Sequence, residues 1–319
     1  MYMYKIIKTT TLASVLLATS SLGAMAQDQK TVALVLGSSG SPFYQAMQCG
    51  AQAKARELGL SLTVSAADQF AADAQIPVVN AVTAAGPQVA AIVPTDMQAL
   101  IPPMRELSER GTKVITVDQT VADTSFLHTQ ILTDNEAGGA LAADQLAALV
   151  GGTGKVLVIT QPPGSLAQDA RASGFEKALA EKYPEIIYLG AQYQSNDPQR
   201  AAEIITSTLS AHPDLAGVFS TNDQGAIGAI TGLRQAGVVG QVKMVAYDAA
   251  SAEVAALKNG EIQALIAQNP KLEGEVAMGV AAKLIAGDAV EPITMTEIVA
   301  ITAEQPDLAD RYEYVADCM

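Results

Sequence analysis

Thr31 to Gly59, TVALVLGSSGSPFYQAMQCGAQAKARELG, joins an apolar run to a Gly/Ser loop, two aromatics and an Ala-rich segment. Val32 to Leu36 has the length and composition of a buried strand. Ser41 stands at an N-cap position, and Pro42 fits the first helical turn, where a missing N–H costs nothing. Backbone N–H groups at such a helix start, with Phe43 and Tyr44 beside them, can hold the oxygens and the apolar face of a small polar molecule. The same order also fits a plain β-to-α connection, and this segment alone leaves both readings open.

The residues before this strand narrow the choice. Lys5 and Lys8 form a basic start, Leu12 to Leu22 is small and apolar, and Ala24-Met25-Ala26 supplies an A-x-A end. That is the pattern of a secretory signal cleaved after Ala26, so the mature chain is expected to begin at Gln27. No Cys follows the site, and no other apolar run approaches the ~20 residues that span a bilayer. The expectation is a soluble exported protein with no stable membrane insertion. The 319 residues carry 19 basic and 33 acidic side chains; without Lys5 and Lys8 the balance is 17 against 33, a net charge of -16. Such acidity disfavours nucleic acid and anionic lipid as partners.

Some 293 residues, 319 less the first 26, suffice for one large core or, more typically, two domains. Strand-like runs alternate with helical stretches, the signature of βαβ units in a parallel sheet. Strands are expected at 60–65, 89–93, 113–117, 155–160, 186–193, 215–220, 243–247 and 262–267. Asp73, Asp134 and Asp197 read as N-caps and Pro77 as a first-turn proline, while Gly59, Gly111, Gly237 and Gly260 read as helix ends. Cys49 and Cys318 are the two cysteines. Two buried thiols would fit, but an oxidising compartment and the polar surroundings of Cys318 favour a disulfide.

Candidate catalytic motifs fail on spacing. Gly151 to Lys155 resembles a phosphate loop, but its first Gly is misplaced and no Ser or Thr follows the Lys, so it reads as a helix-ending turn. Gly37 to Ser41 lacks the final Gly of a nucleophile elbow, and no motif links His128 or His212 to a nucleophile. No Cys/His/Asp cluster has metal-ligand spacing, so neither catalysis, a metal nor a cofactor is expected. Polar residues instead follow the strands: Asp118 and Gln119, Asn222 and Asp223, Tyr247 and Asp248, and Gln268. Open α/β sheets bind ligands at these carboxyl ends. Any one of them can be a helix cap; several converging on one crevice favour a hydroxyl-rich solute.

TVALVLG with SPFYQAM, AAIVPTDMQALIPP, VITVDQT, DNEAGGALAAD, DARASGF, HPDLAGVFSTND, VAYDAA and ALIAQNP occur in one order along nearly the whole chain. In this the sequence resembles the sugar-binding proteins of bacterial ABC importers, the periplasmic type I class typified by ribose-binding protein. The resemblance implies α/β architecture: two similar doubly wound parallel-sheet lobes joined by a three-segment hinge. Residues 27–133 plus 268–296 would form the N-terminal lobe, and 134–267 plus 297–319 the C-terminal lobe and tail. The crossings would fall near Thr133-Asp134, Ala267-Gln268 and Thr296-Glu297. It also implies a monomeric periplasmic protein that closes on a small sugar or polyol and delivers it to a membrane permease.

Carried residue by residue, the resemblance places Ser41, Phe43 and Tyr44 in one wall of the site, with Asp118 as a bidentate acceptor. Asn222, Asp248 and Gln268 match polar contacts and Tyr247 an aromatic one. Two departures stand out: Gln119 and Asp169 occupy positions where ribose binders carry Arg. Arg171 matches a different arginine, read as structural, and the aromatic expected beside Asn196 is missing. The expectation is therefore a carboxylate-rich pocket without cationic donors, for a neutral sugar or polyol other than ribose. Alternatives are an amine-bearing ligand, a receptor for the furanosyl signal autoinducer-2 and, from another class, a periplasmic enzyme. The Cys49 to Cys318 bridge would pin the tail, with Tyr312 and Tyr314 packed along it, onto the first helix.

Overall fold

The apolar run of the opening stretch forms strand β1 (Thr31–Leu36), buried from Val32 to Leu36, in a computed structural model that describes residues 1–2, 30–314 and 318. The expected signal segment and its cleavage after Ala26 lie outside the described residues. The following strands are β2 (Ser61–Ala66), β3 (Val89–Ile92), β4 (Lys113–Asp118), β5 (Thr129–Thr133), β6 (Gly154–Thr160), β7 (Ile186–Tyr193), β8 (Leu215–Ser220), β9 (Lys243–Tyr247), β10 (Ala264–Ala267), β11 (Ile293–Thr296) and β12 (Val299–Thr302). The helices are α1 (Pro42–Leu58), α2 (Ala72–Ala85), α3 (Ile101–Glu109), α4 (Asn135–Val150), α5 (Leu166–Lys182), α6 (Pro198–Ala211), α7 (Asp223–Ala236), α8 (Ser251–Lys258), α9 (Pro270–Ala286) and α10 (Pro306–Tyr312).

Two six-stranded sheets result, ordered β11-β5-β4-β3-β1-β2 and β12-β10-β9-β8-β6-β7. Neighbouring strands run parallel except β12, which is antiparallel to β10. The chain leaves the first sheet after Thr133, returns after Ala267 and leaves again after Thr296. Helix α4 accordingly packs on β8, β9 and β10, and α9 on β3, β4 and β5. At these crossings Glu273 of α9 accepts hydrogen bonds from the hydroxyls of Thr133 (2.9 Å) and Thr296 (3.2 Å).

Small residues let paired helices touch backbone to backbone. A Cβ on Gly50 of α1 would lie 2.0 Å from the Lys271 carbonyl oxygen, and one on Gly274 of α9 would lie 2.1 Å from that of Met47. In the second lobe, a Cβ on Gly139 would meet the Arg171 carbonyl oxygen at 2.0 Å, and one on Gly174 would meet that of Glu136 at 2.1 Å. Any side chain there would push α1 from α9, or α4 from α5, and open gaps in interiors that are otherwise close-packed.

Asp134 and Asp197 cap α4 and α6 through the amides of Ala137, and of Gln199 and Arg200. Ser41 holds the N-cap position of α1 without a side-chain cap bond. Two expectations need correction. Ala71, in extended conformation, precedes α2, which places Asp73 inside the first turn and Pro77 inside the helix. The buried Gln75 side chain anchors that turn, donating to the carbonyls of Leu36 and Val93 and accepting from Thr95. Strand β5, TQILT, is half polar and escaped the strand pattern; Thr129 and Thr133 are buried because their hydroxyls bond the Glu291 carbonyl and Glu273. Cys49 and Cys318 are bonded, with Cα atoms 4.7 Å apart, and Tyr312 and Tyr314 are buried.

Candidate ligand-binding site

The carboxyl ends of both sheets face one another across a cavity, which opens into a wider mouth. The first wall comes from the start of α1 (Ser41, Phe43, Tyr44), the loop after β2 (Phe70), and the end of β4 (Asp118, Gln119). Tyr44 meets Phe43 edge to face at 5.2 Å and stacks parallel to Phe70 at 6.3 Å between ring centroids. Its hydroxyl donates to Asp118 Oδ2 at 3.1 Å. Asp118 has a φ of 63°, a conformation rare outside glycine, at a strand end where backbone strain often marks a working site. Burial raises its carboxyl to about 7, with Asp248 adding to the rise and Arg171 and the Tyr44 hydrogen bond opposing it.

The second wall is polar. Gln168 and Arg171 come from α5, Gln161, Asn196, Asn222 and Asp223 follow β6, β7 and β8, and Asp248 and Gln268 follow β9 and β10. Arg171 is 2% exposed; its Nε donates to Asn135 Oδ1 at 2.7 Å and a terminal nitrogen to the Thr221 carbonyl at 2.9 Å. The guanidinium lies 3.8 Å from the Tyr247 ring centroid, within reach of a cation–π contact. Burial opposes its charge, but Tyr247, Asp248 and Asp118 hold its proton more firmly than usual. Asn222 caps α7 through Gly225 N–H, accepts from Gln194, and donates to Asn196 Oδ1. Asp248 accepts from Gln268 Nε2 (2.8 Å) and the Tyr314 hydroxyl (2.9 Å) through Oδ1, and from the Asp223 amide (3.3 Å) through Oδ2. Asp223 is raised to about 7 by burial and by Asp248. Gln268 Oε1 is buried with no hydrogen-bond partner, the state of an acceptor aimed at a donor from a ligand.

The rims meet. Met97 N–H donates to the Gly164 carbonyl at 3.1 Å, and Gln119 Oε1 accepts from Ser165 Oγ and Ala167 N–H, each at 3.2 Å.

Ser41, Phe43, Tyr44, Asp118, Gln119, Asn196, Asn222, Asp248 and Gln268 thus come together around the cavity. Asp169 and Tyr247 do not line it. The Asp169 carboxylate turns away to accept the Gly164 amide at 3.1 Å. Its neighbours Gln168 and Arg171, three apart and so on one face of α5, point inward instead. Tyr247 is fully buried behind Arg171, with its hydroxyl on Asn135 Oδ1 at 3.3 Å. The expected absence of cationic donors is therefore corrected: Arg171 stands in the cavity wall. Asp223, one of the strand-end residues read from the sequence, lines it too, and so do Ser38, Phe70, Gln161 and Gln168, which were not singled out. Helix phase could have identified Gln168 and Arg171; no local pattern marks Phe70. Among the described residues, no His, Cys, Asp and Glu cluster could hold a metal, and no helix is long and apolar enough to cross a membrane.

Residues 32–289 match the family model described as a periplasmic binding protein domain. The ribose import binding protein RbsB of Salmonella typhimurium is 32% identical over 279 residues, which cover 88% of this chain and 92% of that protein. Among solved structures, an ABC transporter solute-binding protein from Agrobacterium vitis with bound α-D-tagatopyranose superposes with a TM-score of 0.88 at 33% identity, covering 90% of this chain and 100% of that one. A carbohydrate transporter solute-binding protein from Agrobacterium radiobacter in complex with D-arabinose gives 0.86 at 25% identity, covering 90% and 99%.

Proposed function

Since this chain belongs to the periplasmic binding protein family, we propose that it captures a small neutral sugar or polyol in the periplasm and presents it to the permease of an ABC importer. The observation that carries this reading is a cavity between the two sheets, open at one mouth, that sets carboxylates and amides opposite aromatic rings. Asp118 and Asp248 would accept from sugar hydroxyls, and Arg171, Asn222 and Gln268 would donate to them. Phe43, Tyr44 and Phe70 would cover the C–H face of the ring. Gln268 Oε1, without a partner in the protein, would gain one from the ligand.

Residues 27–133 plus 268–296 would move as one lobe and 134–267 plus 297–319 as the other, in a monomer whose signal is removed after Ala26. A ligand touching both walls stabilises only the closed arrangement, so binding and closure are linked. A second reading has its own observation: Asp118, Asp223 and Asp248 surround the single cation Arg171, a surplus of acceptors that also suits an amine-bearing sugar.

The test is a thermal-shift screen of the mature protein over D-ribose, D-tagatose, D-arabinose, xylitol and D-glucosamine. A ligand at a hundred times its Kd adds about 2.7 kcal/mol to stability, which displaces the melting temperature by several degrees. Small-angle scattering with the best probe should show a smaller radius of gyration. A shift with glucosamine alone would select the amine reading, and no shift with any probe would remove the sugar reading.

A further inference from the structure

After β12 the chain turns through α10, passes Tyr314 and, at Cys318, is bonded to Cys49 of α1. This tail touches both walls. The Tyr314 amide donates to the Ala249 carbonyl at 2.9 Å, in a bridge with the second lobe at Ala250. Its ring meets the edge of Phe43, a first-wall residue, at 5.6 Å between centroids. Its hydroxyl donates to Asp248 Oδ1 at 2.9 Å, and the residue is 3% exposed. Four residues on, the disulfide fixes the chain to the first lobe, a span of no more than about 14 Å even when fully extended.

Asp248 has a φ of 91°, unusual outside glycine, and its carboxylate is held by three donors from the protein. The Asp223 amide and Gln268 Nε2 come from the ends of β8 and β10, beside it in the sheet. The third donor, Tyr314, comes from the tail and approaches from the side of α1. We propose that Tyr314 is a positioning residue of the ligand site, aiming the Asp248 carboxylate into the cavity, and that the Cys49–Cys318 bond holds Tyr314 in place. This rests on the cleft being the sugar site. The tail is then a fourth link between the lobes, and ligand selection depends on a residue with its anchor on the opposite lobe from the carboxylate it orients.

Tyr314→Phe keeps the ring against Phe43 and removes only the hydroxyl. Affinity of the mature chain for D-ribose, D-tagatose, D-arabinose and xylitol is measured by calorimetry, melting temperature alongside, and hydrogen exchange at the Asp223 amide reports the Asp248 carboxylate without any ligand. Tyr314→Phe is expected to weaken the tightest probe about tenfold, the effect of one hydrogen bond to a charged group. Asp223 exchange should quicken while the melting temperature stays near that of the wild type. Cys318→Ser should weaken the same probe, and adding Tyr314→Phe to it should cost less than it does alone, because both act through one contact. A lowered melting temperature with unaltered affinity and exchange would reduce Tyr314 to packing and overturn the proposal. Unaltered affinity and exchange in Cys318→Ser would overturn the part given to the disulfide. If the wild type binds no probe, the sugar reading fails, and Asp223 exchange alone decides Tyr314: faster exchange upholds its role and unchanged exchange ends it.

Discussion

The two walls of the cleft rise from sheets with the same strand order, yet they are furnished differently. On the first, Phe43, Tyr44 and Phe70 present rings, and among the hydrogen bonds of this wall Tyr44 to Asp118 is the one that joins ring to carboxylate. On the second, Arg171, Asn222 and Asp248 are tied to Asn135, Thr221, Gln194, Asn196, Asp223, Gln268 and Tyr314. Groups already oriented lose little freedom when a ligand arrives, so the polar wall is preorganised by folding itself. The aromatic wall supplies shape. Changes in the second wall should therefore damage fold and binding together, whereas changes in the first should damage binding alone.

Arg171→Met is the strongest test of that contrast. It leaves the buried acceptors Asn135 Oδ1 and the Thr221 carbonyl without their donor and should cost about 2–5 kcal/mol in urea unfolding, the penalty for two buried hydrogen bonds to a charged group. Undiminished stability would show that the second wall is no part of the framework. Asp118→Ala, in the first wall, should remove about 2–4 kcal/mol of sugar affinity by calorimetry, with stability kept or raised. A large loss of stability there would erase the distinction between the walls.

Acidity probes both at once. Asp118 and Asp223, near 7, and Glu273, near 8, lie above the ordinary carboxylate range of the unfolded chain. A folded-state value raised in this way contributes stability that is complete below the unfolded value and is lost as pH rises through the folded one. Stability, read as melting temperature, should thus fall as pH rises from about 5 to 8. His128, held low by burial, opposes this with a single group. Sugar affinity should run the other way, tightening as Asp118 ionises into a better acceptor. A flat melting temperature from pH 5 to 8 would mean that these carboxyls are already charged. The smallest effect is that of Tyr44→Phe, which should weaken binding by about 1 kcal/mol, with wild-type unfolding, because only the bond steering Asp118 is removed.

The sequence made the parallel strands legible where they are continuous and apolar, and it made the strand-end residues legible because polar side chains follow such runs directly. Asp118, Asn222, Asp248 and Gln268 are of this kind, and they meet in the cavity. What could not be read depended on rotation or on distance along the chain. Aligning motifs by position pointed to Asp169, but a step of one residue around α5 separates a side chain bonded to Gly164 from those facing the cleft. Strand β11, ITMT, lacks the continuous apolar run that marks the equally short β3 and β10. Cys49 and Cys318 could be paired from compartment and surroundings, whereas the placement of Tyr314 against Asp248, 66 residues earlier, leaves no local trace.

The glycine contacts between α1 and α9, and between α4 and α5, carry a mechanical consequence. Where backbones touch, no side chain lies between them that could shift rotamer and absorb strain, so each lobe would act as a stiff lever if it pivots on the crossings beside Glu273. A small angle at the pivot would then be magnified at the rims, where Met97 and Gly164 meet. A transporter resting on those rims could then gauge occupancy from the width of a gap, without touching the cargo.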